Sequence, residues 1–231
     1  MLTRNFITPR ILGSALAAVA VLVPLPSLAD TTTTTTTSGS TGSSAPGSVA
    51  IVFSPSLTSV RSDSKLPQEQ GLSADRKFGM GAGILFDAPL SDGLSLGVGA
   101  LYIERKFQIG TGTTRVQRKA PTIFVPVEAK VWLGNGFSIG GGAFGAVKVG
   151  DAKDEIVTGS TTLQSTSAQD RKSLDYGLTA SVNFLLPVSG RTGLLLGARY
   201  LYGLSNNTRN SAIYNEKIDD LAFTAGLSFS I

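Results

Sequence analysis

Residues 175–186 read DYGLTASVNFLL and, as far as Phe184, alternate strictly between two kinds of side chain. The even positions from Tyr176 to Leu186 are aromatic or aliphatic, whereas the odd positions from Asp175 to Asn183 are acidic, small or polar. A period of two residues indicates a β-strand, because successive side chains of a strand point to opposite faces. The segment therefore predicts a strand whose two faces meet different media.

The same alternation recurs along the chain. It covers residues 48–57, 78–88, 94–102, 123–133, 137–148, 194–202 and 221–231, which with the quoted segment makes eight strands. The links between them alternate in length. The short links are Ala88–Gly93, Gly134–Gly136 and Val188–Thr192, and the long, polar links are Val60–Lys77, Ile109–Lys119, Gly150–Lys172 and Ser205–Lys217. This arrangement predicts an all-β fold, an eight-stranded antiparallel up-and-down transmembrane β-barrel inserted from one side of a membrane.

Two segments precede the predicted barrel. Residues 1–29 have the order of a secretory signal peptide, with Arg4 and Arg10, a short apolar run and a small-residue cleavage site ending at Ala29. The apolar run is about 15 residues, which favours a cleaved signal over a retained anchor, since a spanning helix needs roughly 20. Residues 30–47 are rich in Thr, Ser and Gly and predict a disordered leader, favoured over a glycosylated stalk. Residues 48–231 are predicted to form the barrel domain.

Composition narrows the possible functions. The 231 residues include no Cys and no His, which excludes disulfide scaffolds, thiol nucleophiles, His-based triads and zinc sites with sulfur or nitrogen ligands. The net charge of +4 becomes +2 once the two signal-peptide arginines are removed, and both signs are spread along the chain. No nucleic-acid footprint is indicated. We expect no cofactor and no catalytic residue.

Charged residues on the inward face of the predicted strands are expected to pair. A charge persists in an apolar surround only when it is partnered and hydrogen-bonded. The predicted interior ion network consists of Glu128, Lys130, Asp175 and Arg199 and is centred on Arg199 and Glu128, with Asp87, Lys148 and Asp220 nearer the rims. We interpret it as a structural plug in preference to a catalytic or conducting site.

Several stretches resemble the PorT-like outer-membrane β-barrel family. They are PTIFVPVEAKVWLGNGFSIGGGAFGAV, DYGLTASVNFLLPVSGRTGLLLGARYLYGLSNNTRN and the terminal LAFTAGLSFSI, and together they lie within residues 78–231. The family motifs fall on Pro126, then on Asp175, Tyr176 and Gly177, then on Arg199, Tyr200, Gly203 and Leu204. The resemblance implies an eight-stranded outer-membrane barrel, of which one family branch belongs to a protein-secretion apparatus.

Two patterns resemble sites of chemistry. Gly140, Gly142 and Gly145 match G-x-G-x-x-G, but a dinucleotide site needs this run to open a helix, and here it continues as a strand-like AVKV. A lipid-modifying barrel enzyme would need a base beside a serine, which without His leaves only Lys or a carboxylate. We therefore favour a non-enzymatic protein.

The predicted loops carry whatever recognition the protein has, because the barrel scaffold is generic. Arg115, Arg118 and Lys119 are candidates for contacts with lipopolysaccharide phosphates, with a merely solvated rim as the alternative. We expect a monomer in the outer membrane of a Gram-negative cell, exported by the general secretory pathway, with outer-membrane lipid, lipopolysaccharide and the assembly machinery as partners and no nucleic acid. Alternative functions are a small-solute pore, a barrel enzyme, a secretion component and a soluble lipocalin-like carrier.

Overall fold

The computed structural model describes residues 45, 47–62, 73–111, 114–134, 136–150, 153–158, 161–166, 172–207 and 216–231. The predicted signal peptide and nearly all of the predicted leader lie outside these residues. Twelve strands form the described fold: β1 Ser48–Phe53, β2 Ser56–Ser62, β3 Ser73–Gly79, β4 Gly81–Ser91, β5 Leu94–Thr111, β6 Thr114–Trp132, β7 Phe137–Lys148, β8 Lys153–Thr158, β9 Thr161–Thr166, β10 Leu174–Ser189, β11 Thr192–Gly203 and β12 Glu216–Ser230. The described residues contain no helix long and apolar enough to span a bilayer.

The strands close into a ring of eight. Four of the eight positions in the ring are each occupied by two consecutive strands with a short break between them. These are β1 with β2, β3 with β4, β7 with β8, and β9 with β10. Successive positions of the ring pair antiparallel. The ring closes where β12 pairs with β2 and with β1, the latter from Ser48↔Ser230 to Phe53↔Ala225. Closure leaves no free sheet edge along this part of the wall, so the backbone groups there are paired. The predicted eight-stranded up-and-down arrangement is confirmed.

Tight turns join the strands at one end of the ring, which we name the short-turn end. Glycines with positive φ lie in these turns, at Gly93, Gly134, Gly136 and Gly190. The first and last described parts of the barrel meet at the same end, where the Ile231 amide donates to the Gly47 carbonyl at 3.1 Å. The opposite end, which carries the longer links, we name the long-loop end.

Two of the predicted long loops are wrong in their extent. The predicted loop Ile109–Lys119 is a hairpin, because β5 runs to Thr111 and pairs with Thr114 at the start of β6. The predicted loop Gly150–Lys172 contains β8, which pairs with the first residues of β6, and β9, which pairs with β8. Apolar alternation stops where both faces meet water, but backbone pairing continues because it still satisfies the amide and carbonyl groups. Sequence alternation therefore underestimates strand length.

The two remaining long links are also partly strand. The predicted link Val60–Lys77 is shortened because β2 continues to Ser62 and β3 begins at Ser73, and the predicted link Ser205–Lys217 ends at Glu216, where β12 begins. The central parts of both links lie outside the described residues.

The strands face as their alternation predicts. On β10, Asp175, Thr179 and Asn183 are buried inside the ring, whereas Tyr176 and Leu178 on the other face are exposed. Some apolar residues also point inward and form the buried core of the ring: Ala50, Val52, Leu85, Leu101, Ile103, Phe124, Phe144, Ala146, Leu195, Leu201 and Ala222. The ring therefore has an apolar outer surface and a filled interior with both apolar and charged layers.

Candidate functional site

Glu128 and Arg199 form a buried ion pair across the middle of the ring. Arg199 Nε donates to Glu128 Oε1 at 2.8 Å and Nη2 donates to Oε2 at 3.1 Å. Thr179 and Ser181 on β10 also donate to the two Glu128 oxygens, at 2.7 and 2.9 Å. The carboxylate is thus held by a two-point guanidinium contact and two hydroxyls, an arrangement that fixes its position and neutralises its charge.

A second ion pair lies nearer the short-turn end. Lys130 Nζ lies 2.6 Å from Asp87 Oδ1, and both side chains are buried. On the same face of β6, the indole of Trp132 donates to Ser95 Oγ at 2.9 Å. Side chains that contact each other directly therefore occupy this end of the interior.

A third charged cluster lies toward the long-loop end and is centred on Arg105. Its guanidinium contacts Asp175 and Asp220, each at 2.7 Å, and its Cζ lies 4.4 Å from the centroid of the Phe124 ring. Thr58 donates to the second Asp220 oxygen at 2.6 Å, and Ser205 donates to Asp175. One arginine here bridges two buried carboxylates that would otherwise repel each other.

The four residues predicted as one network are distributed over these three clusters. The structure brings Glu128 together with Arg199, but it places Lys130 against Asp87 and Asp175 against Arg105. Leu201 is the next inward residue after Arg199 on β11, and Pro126 and Phe124 follow Glu128 on β6. An apolar layer therefore separates the central pair from the Arg105 cluster.

Arg105 was missed because the predicted strand stopped at Tyr102. The inward positions of β5 continue from Leu101 through Ile103 and Arg105 to Phe107, all of them buried. Counting every second residue from Leu101 onward, beyond the point where the outward residues stop being apolar, identifies Arg105 as an inward residue from the sequence.

The candidate lipopolysaccharide contacts do not form one surface. Arg118 pairs with Asp154 and its Cζ lies 6.0 Å from the centroid of the Phe107 ring. Arg115 is exposed and Lys119 is half-buried, and both have the opposite parity from Arg118 along β6. Because strand side chains alternate, only Arg115 and Lys119 share a face.

Another charged contact lies on the outer wall near the long-loop end. Arg61 Nε donates to Asp219 at 3.0 Å, and Nη1 donates to the Tyr202 hydroxyl at 2.7 Å. Arg61 also lies over the Tyr202 ring at 4.1 Å, a cation–π contact.

The glycine motif and metal chemistry have no supporting geometry. Gly140, Gly142 and Gly145 all lie within β7, so the run opens no helix and offers no phosphate cradle. Among the residues that the structure describes, no three His, Cys, Asp or Glu side chains are grouped so as to hold a metal ion.

Comparison with known protein families shows to which family of barrels this chain belongs. A family model described as "Outer membrane protein beta-barrel domain" matches residues 43–209, which is most of the chain. The chain belongs to the outer-membrane β-barrel domain family. The barrel is thus an outer-membrane protein, and its exposed apolar wall is the surface that faces lipid.

Three solved structures are similar to this barrel. Ail, the attachment invasion locus protein of Yersinia pestis, is 11% identical with a TM-score of 0.42, covering 80% of this chain and 100% of its own. OprG from Pseudomonas aeruginosa is 12% identical with a TM-score of 0.45, covering 83% and 98%. Neisserial surface protein A is 12% identical with a TM-score of 0.40, covering 80% and 99%. No individually curated protein matches the sequence significantly.

Proposed function

We propose that this barrel is a non-conducting, non-enzymatic outer-membrane protein with a structural or surface-interaction role. The observation that carries the proposal is the filled interior. The Lys130–Asp87 pair, the Glu128–Arg199 pair, an apolar layer and the Arg105 cluster follow each other from the short-turn end to the long-loop end. Eight strands enclose an interior that side chains are able to fill, and these layers supply side chains along its length, which supports a non-conducting barrel.

The interior carboxylates argue against a barrel enzyme. Glu128, Asp87, Asp175 and Asp220 are each in contact with a buried Arg or Lys. A carboxylate held by a cation is stabilised in its ionised form and is a poor general base. These four carboxylates are therefore ordered charge partners and not activated bases.

The long-loop end supplies the surface for an interaction. Strand β5 has 18 residues and β6 has 19, whereas about 9–11 residues suffice to cross the bilayer. About eight residues of each strand, roughly 25 Å of chain, are left to project beyond the lipid. Outer-membrane barrels place their longer connections outside the cell, so we assign this end to the cell exterior and the short turns to the periplasm.

We further propose that the chain belongs to the PorT-like subfamily and that it is exported and assembled by the ordinary outer-membrane route. The subfamily proposal is supported by the motifs at Pro126, Asp175–Gly177 and Arg199–Leu204, and export is supported by the signal-like residues 1–29. Lipopolysaccharide contacts are proposed for Arg115 and Lys119, which share the outward face of β6. We propose that the barrel works as a monomer.

Conductance tests the sealed interior. We expect the purified, folded barrel to give no stepwise conductance in a planar bilayer, because ion pairs and apolar side chains block the interior. A known porin reconstituted in the same bilayer is the positive control. Regular single-channel steps from the folded protein would show that the interior opens and would favour the small-solute pore instead.

Cysteine labelling tests the topology, and the chain suits it because it contains no native cysteine. Thr161 lies in the hairpin between β8 and β9, and Arg191 lies in the short turn between β10 and β11; both are exposed. We expect a membrane-impermeant maleimide to label Thr161→Cys on intact cells and to label Arg191→Cys only after the outer membrane is permeabilised. Labelling of Arg191→Cys on intact cells would reverse the proposed orientation.

A further inference from the structure

A groove opens in the outer wall where β10 and β11 separate. Their ladder ends at Gly177↔Gly203, and beyond it the amides of Leu204 and Ser205 both donate to the Tyr176 carbonyl, at 3.0 and 3.3 Å. The groove has a volume of about 370 Å³. It is lined by Lys172, Ser173, Leu174, Tyr176, Ser205 and Asn206.

A small cavity lies on the inner side of the same segment. It measures about 30 Å³, room for about one water-sized atom, and shares Lys172 and Ser173 with the groove. Asn207 also lines the cavity. Its side chain is 5% exposed, and its Nδ2 finds no hydrogen-bond acceptor among the described residues. Buried amide donors are normally paired, and an acceptor atom of a molecule entering the cavity would satisfy this one.

The groove side of the cavity offers a cation and hydrogen-bond donors. Arg105, Lys148 and Lys172 line the cavity, together with the carboxylate of Asp175, and Asp220 lies against Arg105 on the far side. Glu216 adds a buried carboxylate beside Asn207, whose amide donates to the Glu216 carbonyl at 2.8 Å, so positive and negative side chains around the cavity balance. Because Arg105 is held by Asp175 and Asp220, the cation that faces the groove is the exposed Lys172.

The groove also has an apolar wall. Leu174 is 58% exposed and Tyr176 is 56% exposed, and they continue the lipid-facing row of β10 toward Leu178. The polar lining residues Lys172 and Ser173 precede this row in the chain. The lining therefore passes from cationic and hydroxyl groups to apolar groups at the upper limit of the lipid-facing surface.

We propose that the groove binds the phosphorylated headgroup of an outer-leaflet glycolipid. The phosphate lies at Lys172 and Ser173, one of its oxygens accepts from Asn207 Nδ2, and an acyl chain packs on Leu174 and Tyr176. A free phosphate ion would leave the apolar wall unused, which favours the lipid as its source. The proposal rests on the outer-membrane placement and on the outward orientation of the long-loop end, but it is independent of whether the interior conducts.

Native mass spectrometry of the full chain, folded in detergent and titrated with bisphosphorylated lipid A, tests the site. We expect Lys172→Gln to reduce the lipid-bound fraction about fivefold through loss of the charged phosphate contact. Tyr176→Ala is expected to reduce it through loss of the apolar wall. The matched controls are Lys153→Gln and Tyr102→Ala, which remove an exposed lysine and an exposed tyrosine elsewhere, and both should bind as the wild type does.

Two further arms identify the ligand chemistry. Lipid A without its phosphates should bind more weakly than the phosphorylated form, and Asn207→Asp, which keeps the side-chain shape but places an oxygen where the amide was, should weaken binding to the phosphorylated lipid. Heat-modifiable gel mobility verifies that each variant is folded. Equal losses for Lys172→Gln and Lys153→Gln, equal binding of both lipids, or full displacement of the lipid by equimolar inorganic phosphate would overturn the proposal. None of these outcomes depends on the conductance result, whereas a reversed labelling pattern would remove the premise of outward orientation.

Discussion

Replacing Arg199 by leucine is expected to lower the free energy of unfolding by about 3 to 5 kcal/mol, the usual cost of removing one partner of a buried ion pair. The variant leaves Glu128 with 1% exposure and with only Thr179 and Ser181 as hydrogen-bond donors. Two neutral hydroxyls do not compensate a buried negative charge.

Urea titration of the barrel folded in lipid vesicles measures this loss, and the heat stability of the folded gel band gives an independent reading. Arg191→Leu, in an exposed turn, is the control and should unfold as the wild type does. The double variant Glu128→Leu with Arg199→Leu should recover much of the loss, because it removes the unpaired charge as well. Wild-type stability of Arg199→Leu alone would show that the pair does not hold the interior together.

Replacing Phe124 by alanine is expected to cost about 3 to 5 kcal/mol, the range for deleting a large buried aromatic side chain. Phe124 is fully buried, its ring lies 5.7 Å from that of Phe144, and Arg105 lies over its face. The variant opens a cavity between the central ion pair and the Arg105 cluster, where the rigid wall is unable to collapse.

The matched control for Phe124→Ala is Phe223→Ala. Phe223 lies on the lipid-facing side of β12 and is 44% exposed. Fluid lipid chains fill the space that the removed ring leaves, so the control should lose clearly less stability in the same urea titration. If the two variants lose the same amount, the interior around Phe124 is not packed as the structure places it.

Alternation alone was enough to predict the wall of this barrel. Odd and even positions of a strand point to opposite faces, which predicts that Asp175 and Arg199 point inward and Tyr176 outward. A shift of the strand register by one residue would turn all inward side chains of a strand toward lipid. The same reasoning failed above Tyr102 on β5. Beyond that point, outward residues such as Lys106 are charged because they meet water, so the contrast that reveals the strand disappears although the strand continues.

The sequence by itself determined the class of fold, the eight positions of the ring and the inward side chains of the apolar segments, because these depend on local period and on the two media at each face. Only the tertiary structure decided the partners. Arg199 meets Glu128 across 71 positions of chain, and Asp175 meets Arg105 instead of the central pair. Such pairing depends on the position of each residue along the axis of the closed ring. Strand register and ring closure together set that position. The groove beside Tyr176 likewise exists only because the β10–β11 ladder ends at Gly177, a property of pairing that no local pattern encodes.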